Sequence, residues 1–252
     1  MLQPTRILLL HTLRKKGRCE PTRVLQLLCE TVAELGLRLG RLSEALTNSE
    51  IVALTIDDGY AEIVDVAPWL AEQGILPTVF LPTAFLGRIN SWDHPLARQR
   101  RHLSPAEVRQ LVGEGFDFGT HSHTHADFSY LNGQEVEREL RVSSEILADL
   151  TGDTATYLAY PFGRYDPRAA SIAAALGYTQ AFLSAPGGHS AFALGRTPIW
   201  SWDTALTLRA KLQYNWLTPI EHLKAQAISA FSYLTPAIKR LSKRQKAPIS
   251  HS

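Results

Sequence analysis

Short apolar runs alternate with stretches of helical periodicity along most of this chain, and this alternation limits the folds that it can adopt. Residues 7–10, 51–56 and 77–81 are apolar runs of strand length, and residues 21–37 and 61–72 carry apolar side chains at helical spacing. Further strands are predicted at 116–119, 156–160, 178–183 and 197–200, and further helices at 104–112, 134–150 and 166–177. Single helices between successive strands favour a parallel sheet, either rolled or open. The sequence therefore predicts an α/β fold.

The second apolar run ends in two adjacent carboxylates. Thr55 and Ile56 close the run, and Asp57, Asp58 and Gly59 follow directly. Adjacent carboxylates at the end of a buried strand repel each other, so a charged partner is expected beside them. Asp-Gly is also a common turn dipeptide, and from this segment alone a simple turn remains open.

A second polar cluster follows the strand predicted at 116–119. It contains three histidines at alternate positions, His121, His123 and His125. One aspartate with two histidines is a ligand set suited to a catalytic divalent metal that keeps an open position for water. The carboxyl ends of parallel strands meet at one edge of a sheet, where sites commonly assemble. We expect Asp58 and the histidines to meet there.

Three motifs, in this order, resemble those of the polysaccharide deacetylase family, also called the NodB-homology or carbohydrate esterase 4 family. The family patterns T-F-D-D-G, H-[S/T]-x-x-H and R-x-P-Y-G correspond to residues 55–59, 121–125 and 159–163. The resemblance extends to about Trp202. It implies a distorted (β/α) barrel of about seven parallel strands. It also implies a metal-dependent deacetylase that removes an N-acetyl or O-acetyl group from a sugar or polysaccharide.

The resemblance also implies a role for each matching residue. Asp58, His121 and His125 would bind the divalent metal, with Zn²⁺ first and Co²⁺, Ni²⁺ or Mn²⁺ as other candidates, and Asp57 would be the general base. The acetyl pocket and oxyanion site would be formed by Tyr160, Pro161, Phe162 and Gly163, with the Phe162 backbone N–H donating to the oxyanion. The four-residue step predicts both ligand imidazoles on one side of a helical turn, with His123 pointing elsewhere in a structural role.

The sequence departs from the family pattern at two places. Ala159 stands where the third motif has an arginine that pairs with the base, so another group must orient Asp57. The L-x-H motif that carries the general acid near the end of relatives is missing, but Leu9, Leu10 and His11 match it at the start of the chain. A circularly permuted order would place His11 as the general acid, because the first and last strands of a closed barrel are neighbours. The alternative is that His11 only ends a buried strand.

Two further groups of residues remain open. The insertion at 82–103 contains the basic run 98–101, which is interpreted either as a solvated face or as a substrate contact. Trp200, Trp202 and Asp203 lie near the position of the family's fourth motif, and the match is loose. Tryptophans at such a place either stack on sugar rings or fill a core.

Composition and length set the outer limits. The chain has 252 residues, which we divide into a deacetylase-like domain at 1–205 and a helical extension with a basic tail at 206–252. A net charge of +2 is too small to indicate nucleic-acid binding. No stretch approaches the roughly 20 apolar residues of a membrane span. The run at 7–10 is too short for a signal peptide, so the sequence as written predicts a cytoplasmic protein, and an extracytoplasmic one if a leader has been trimmed.

The expected partner is an N-acetylated glycan or sugar. Two other functions are weighed against deacetylation. One is a related metal-dependent hydrolase of a non-peptide C–N bond in a small amide, since a fold does not fix its substrate. The other is a non-catalytic carbohydrate-binding relative, for which a metal triad beside a separate carboxylate would have no use.

Overall fold

The computed structural model describes residues 6–10, 21–90, 99–164, 166–213 and 218–232. The strands are β1 (Arg6–Leu10), β2 (Arg38–Gly40), β3 (Ile51–Ile56), β4 (Thr78–Leu81), β5 (Asp117–Thr120), β6 (Tyr157–Ala159), β7 (Gln180–Phe182), β8 (His189–Ser190), β9 (Ala193–Leu194) and β10 (Thr197–Pro198). The helices are α1 (Arg23–Glu34), α2 (Leu42–Ala45), α3 (Glu62–Glu72), α4 (Pro105–Gly113), α5 (Gly133–Thr151), α6 (Pro167–Ala175), α7 (Ala205–Gln213) and α8 (Thr218–Ser232).

The strands form one sheet with the order β10-β1-β3-β4-β5-β6-β7-β9-β8, and β2 pairs with β3. The seven strands from β10 to β7 are parallel to their neighbours, and β8 with β9 forms an antiparallel pair at the far end. The sheet curls into a half-barrel flanked by helices. The predicted distorted (β/α) barrel of about seven parallel strands is therefore confirmed.

The central position of β3 in the sheet explains the apolar run at 51–56. All six residues of β3 are buried, as expected for a parallel strand that is covered on both faces. One large apolar cluster joins β1 and β3 to α1, α3 and α4, and Leu208 and Leu212 of α7 belong to it. The division at 205/206 stays a prediction, with α7 packed into the core of the first region.

The first and last strands are neighbours, as the sequence predicts. Leu9 of β1 lies opposite Pro198 of β10, and Leu10 lies opposite Ile56 at the end of β3. The chain therefore leaves β1, β3 and β10 at the same edge of the sheet. Whether the motif order is circularly permuted stays a prediction, because His11 lies outside the described residues.

The predicted start of α4 is confirmed. The Ser104 hydroxyl accepts a hydrogen bond from the Glu107 N–H at 3.3 Å, and the Glu107 carboxylate accepts one from the Ser104 N–H at 2.7 Å. This reciprocal capping box satisfies two N–H groups that the helix start leaves without partners. Leu103 and Val108, which flank the box, are both buried.

The sequence also predicts a C-terminal helical stretch at 216–241 with interruptions at Pro219 and Pro236, and the structure differs from it at Pro219. Pro219 lies in the first turn of α8, where its missing N–H has no helical partner to lose, so it begins this helix instead of interrupting it. Residues beyond Ser232, with Pro236 among them, lie outside the described part of the chain. Within the described residues, no helix is both long enough and apolar enough to cross a membrane.

Candidate active site

The two aspartates lie where β3 ends, in a turn with unusual backbone angles. Asp57 is 2% exposed, and its N–H continues the parallel ladder by donating to the Leu10 carbonyl at 3.3 Å. Asp58 has a φ of 68° and Gly59 one of 56°, both in the left-handed region. A side chain at Gly59 would overlap the Leu81 side chain, so only glycine fits there. The turn directs both carboxylates into the edge of the sheet where β5 also ends.

The segment from His121 to His125 (the histidine loop) follows β5 and is not helical, so the expected helical turn is wrong. Ser122 and His125 have φ values of 61° and 56°. The backbone is held from two sides. The Ser122 carbonyl accepts from the Thr83 N–H at 3.3 Å and from the Ser143 hydroxyl at 3.2 Å. Thr83 and Ser143 therefore occupy the Ser122 carbonyl, which a helical turn would need for its own hydrogen bond.

Glu139 of α5 holds the tip of the histidine loop. Its carboxylate accepts from the backbone N–H groups of His123 and Thr124 at 2.9 and 2.7 Å, and from the Thr124 hydroxyl at 2.7 Å. His123 also contacts the Thr83 hydroxyl through Nδ1 at 2.9 Å. These contacts agree with the structural role predicted for His123.

Asp58, His121 and His125 come together as the sequence predicts. Nε2 of His121 and Nε2 of His125 lie 3.7 and 3.5 Å from Oδ1 of Asp58, and one ligand atom from each of the three residues lies within 4.8 Å of the others. Two atoms bound to a tetrahedral zinc at about 2.1 Å lie about 3.4 Å apart. The spacing of these nitrogen and oxygen atoms therefore fits one small divalent cation.

His121 is prepared as a ligand by its second nitrogen. Nδ1 lies 2.8 Å from the Ala159 carbonyl oxygen, which can only accept, so Nδ1 carries the proton and Nε2 presents its lone pair to the aspartates. Burial lowers the pKa of His121 below its usual range, against the opposing charge of Asp57, and this shift favours the neutral imidazole. A backbone carbonyl behind a ligating histidine is a common outer partner in metal sites.

Arg196 is the group that orients Asp57. It lies just before β10, its side chain is fully buried, and its two terminal nitrogens donate to the two carboxylate oxygens of Asp57, each at 2.7 Å. Its Nε donates to the Leu183 carbonyl at 2.8 Å, so the side chain connects the residue after β7 with the end of β3. This residue is not among those predicted from the sequence. The sequence signal for Arg196 was indirect. Ala159 stands where the family motif has an arginine, so some other cation had to pair with Asp57.

The loop after β6 lies at the same edge of the sheet as the aspartates and the histidine loop. Pro161–Gly163 forms a 3₁₀ turn in which Phe162 has a φ of 60°, and the Phe162 ring meets the His125 ring edge-on at 4.7 Å between centroids. Gly163 is left-handed, and a side chain there would overlap Ser184. Tyr160 is buried in the core and donates its hydroxyl proton to the Phe192 carbonyl at 3.0 Å, so its side chain packs the loop from behind.

An ion pair joins this loop to the segment that follows the histidine loop. Arg164 donates to the Asp127 carboxylate at 2.6 Å, and Asp127 is 7% exposed. Asp127 in turn accepts from the Ser129 N–H at 3.0 Å. The two loops that border the cluster of Asp58, His121 and His125 are therefore held together by charge.

The remaining sequence candidates lie as follows. In the insertion, Arg100 pairs with Glu62 and Arg101 with Glu107, so neither arginine is a cation facing only solvent. Asp203 forms a buried ion pair with Lys211 at 2.7 Å, which is a structural contact. Trp200 and Trp202 stack with centroids 5.4 Å apart, and Trp202 is 59% exposed, so it does not fill a core.

Comparison with known proteins identifies the family of this chain. The family model described as polysaccharide deacetylase matches residues 45–181, and the chain belongs to the polysaccharide deacetylase family. It is 24% identical to YxkH of Bacillus subtilis over 144 residues, or 57% of this chain and 48% of that protein. It is 26% identical to a chitin deacetylase of Pestalotiopsis over 141 residues, or 56% of this chain and 43% of that protein. The chain thus spans a little under half the length of these curated relatives.

Solved structures share the fold. Streptococcus pyogenes deacetylase PplD superposes with a TM-score of 0.67 at 20% identity, over 82% of this chain and 96% of that one. IcaB from Ammonifex degensii superposes with a TM-score of 0.66 at 20% identity, over the same shares. At this identity the likeness concerns the fold, which is the deacetylase barrel.

Proposed function

We propose that this protein is a metal-dependent deacetylase that hydrolyses the acetyl group of an acetylated sugar or polysaccharide. The observation that carries the proposal is the convergence of Asp58, His121 and His125 beside a second, separately held carboxylate. Asp57 Oδ2 lies 4.0 Å from His121 Nε2, so this second carboxylate borders the cluster directly. A binding protein would have no use for this arrangement.

Asp58, His121 and His125 would hold the divalent cation, and zinc suits two imidazoles with one carboxylate. When bound, such an ion lowers the pKa of a water molecule toward about 7 and polarises a carbonyl oxygen. The neutral, oriented imidazole of His121 is in the state that binding requires.

Asp57 would accept the proton of the attacking water. Arg196 offsets the charge of this carboxylate and fixes its plane through two hydrogen bonds. A general base of this kind contributes about 10²–10⁴-fold to the rate. Proton transfer requires a base in a defined orientation, and the pairing with Arg196 holds Asp57 in one.

The turn at Pro161–Gly163 would receive the acetyl group. The Phe162 N–H would donate to the oxyanion, and the support is the contact between the Phe162 ring and the ring of His125, one of the three proposed ligands. The structural neighbour from S. pyogenes was solved with acetate, which is the product that deacetylation would release.

The leaving amine must gain a proton as the tetrahedral intermediate collapses, because otherwise the amide re-forms, and His11 is the proposed donor. The support is the position of β1, whose last residue Leu10 lies opposite Ile56, immediately before the two aspartates. His11→Ala is expected to lower kcat by about 10²–10⁴-fold with unchanged metal affinity.

Two substitutions test the assignment by separating metal binding from turnover. His121→Ala is expected to abolish both zinc binding and acetate release from chitooligosaccharides. Asp57→Asn is expected to keep the metal and lose turnover, because it removes the base and leaves the three ligands intact. Full activity in Asp57→Asn would refute the role of Asp57 as base, and zinc binding at wild-type affinity in His121→Ala would refute the role of His121 as ligand.

A further inference from the structure

His102 lies directly behind the metal-ligand turn and has no part in the proposed reaction. The residue is 1% exposed. Its Nδ1 lies 2.6 Å from the backbone carbonyl oxygen of Asp58. A carbonyl oxygen can only accept, so Nδ1 of His102 carries the proton and donates a hydrogen bond to the Asp58 carbonyl.

The backbone that receives this hydrogen bond is in an unfavourable conformation. Asp58 has a φ of 68°, and a residue other than glycine keeps such a conformation only where its surroundings enforce it. Because the side chain leaves from the same Cα, this conformation decides where the Asp58 carboxylate points. A group that fixes the Asp58 carbonyl therefore acts on the position of a ligand atom.

The segment at 99–104, which we call the return segment, closes on the turn as a strand does. Its backbone is hydrogen-bonded to the residues after Asp58 on one side and to residues 87–90 on the other. The bonds run from Ala61 N–H to Arg101 O at 2.8 Å, Leu103 N–H to Gly59 O at 2.8 Å, His102 N–H to Arg88 O at 2.8 Å, and Gly87 N–H to Leu103 O at 2.9 Å. The return segment therefore presents His102 to Asp58 from a fixed backbone.

The imidazole itself is also fixed. It packs against the Tyr60 ring at 4.7 Å and the Phe85 ring at 5.7 Å between centroids. The Arg100 guanidinium lies over the Tyr60 ring, 3.5 Å from its centre, and pairs with Glu62. Within the basic run, Arg100 therefore has a local role in holding the stack.

We propose that His102 is a positioning residue for Asp58, whose Nδ1–H holds the left-handed turn so that the carboxylate meets His121 and His125. The proposal rests on the proposed function, since it requires that Asp58 binds a metal. It also assigns a purpose to the insertion at 82–103, which would carry the return segment back to the metal ligand.

Two variants separate the hydrogen bond from the packing. His102→Phe keeps an aromatic ring between Tyr60 and Phe85 and removes the donor. His102→Asn removes the ring and keeps an N–H at the position of Nδ1. Metal affinity is measured by titrating each metal-free protein with Co²⁺ and following the visible absorption of the bound ion, and folding is followed by thermal unfolding of the metal-free protein.

A positioning role predicts that affinity follows the donor. His102→Phe is expected to bind Co²⁺ about 10- to 100-fold more weakly than the wild type, the usual effect of losing an outer partner, with a changed absorption spectrum. His102→Asn is expected to stay within a few-fold of the wild type, even if it unfolds at a lower temperature. Wild-type affinity and spectrum in His102→Phe would overturn the proposal, and so would a loss of affinity in His102→Asn as large as that in His102→Phe.

If His102→Phe does not fold, His102→Asn decides alone, since it tests whether a donor without the ring maintains affinity. A wild-type protein that binds no Co²⁺ would refute the proposed function and this inference with it. Binding by the wild type that is lost in His121→Ala, together with wild-type binding in His102→Phe, would refute the role of His102 alone.

Discussion

Arg196 and Asp57 are joined by two parallel hydrogen bonds of 2.7 Å each, although 139 positions separate them in the sequence. The arginine comes from the start of the last parallel strand and the aspartate from the end of β3. The position that holds the corresponding arginine in the family motif is Ala159 in this chain. The cation that orients Asp57 thus reaches it from another part of the barrel.

Replacing Arg196 is expected to damage both stability and turnover. Arg196→Met leaves the Asp57 carboxylate buried without its cation, which costs about 3–5 kcal/mol in the free energy of unfolding. Arg196→Lys keeps the charge and loses the paired geometry, so we expect folded protein with kcat reduced at least about 10-fold. Chemical denaturation and acetate release measure the two effects. Arg138→Met, an exposed arginine of α5, is the control, and wild-type behaviour of Arg196→Met would contradict the account.

Removing the carboxylate of Glu139 is expected to loosen the histidine loop. Glu139→Ala leaves the N–H groups of His123 and Thr124 without their acceptor, at a cost of about 1–3 kcal/mol for each group that stays buried. Metal affinity should fall, because both ligand histidines flank these residues. Glu137→Ala, on an exposed position of the same helix, should change neither property. Equal Co²⁺ affinity in the two variants would remove Glu139 from this role.

The metal-free protein should lose stability as the pH falls from about 6.5 to about 4. Burial lowers the pKa of His102 from its ordinary 6.5 to about 4, with a smaller contribution from the charge of Arg100. Within this window the unfolded chain binds a proton that the folded protein does not, so protonation favours unfolding as the pH decreases. The loss amounts to about 3 kcal/mol. Denaturation at several pH values should give a smaller slope for His102→Phe than for the wild type, and equal slopes would contradict the assignment.

The exposed Trp202 is expected to contribute to binding of longer substrates. The chain leaves β10, β1 and β3 at one edge, and the ends of β10 and β3 are two strand spacings, or about 10 Å, apart, so the loop that carries Trp202 starts near the aspartates. Trp202→Ala should raise KM for an acetylated oligosaccharide by about 3- to 10-fold, in the range of one aromatic contact, and leave a monosaccharide substrate unaffected. Leu206→Ala, at another exposed apolar position, is the control. An equal effect on both substrates would count against a sugar contact.

The sequence was sufficient for the parts of the site that are local. Asp57 and Asp58 directly follow an apolar run that indicates a buried strand, so their place at the end of β3 could be predicted. The pairing of Arg196 with Asp57 could not be predicted, because it depends on which strand ends lie next to each other in the curled sheet. The shape of the histidine loop also escaped prediction, since the partner of its N–H groups, Glu139, lies in the next helix.

The central claim is that acetate release depends on a single cation held by Asp58, His121 and His125. The most direct measurement follows acetate release from a chitooligosaccharide while protein stripped of metal by a chelator is titrated with Zn²⁺. The account predicts no release from the stripped protein and a rate that rises in proportion to added zinc up to one equivalent per chain. Acetate release by the stripped protein at the rate of the zinc-loaded protein would contradict it.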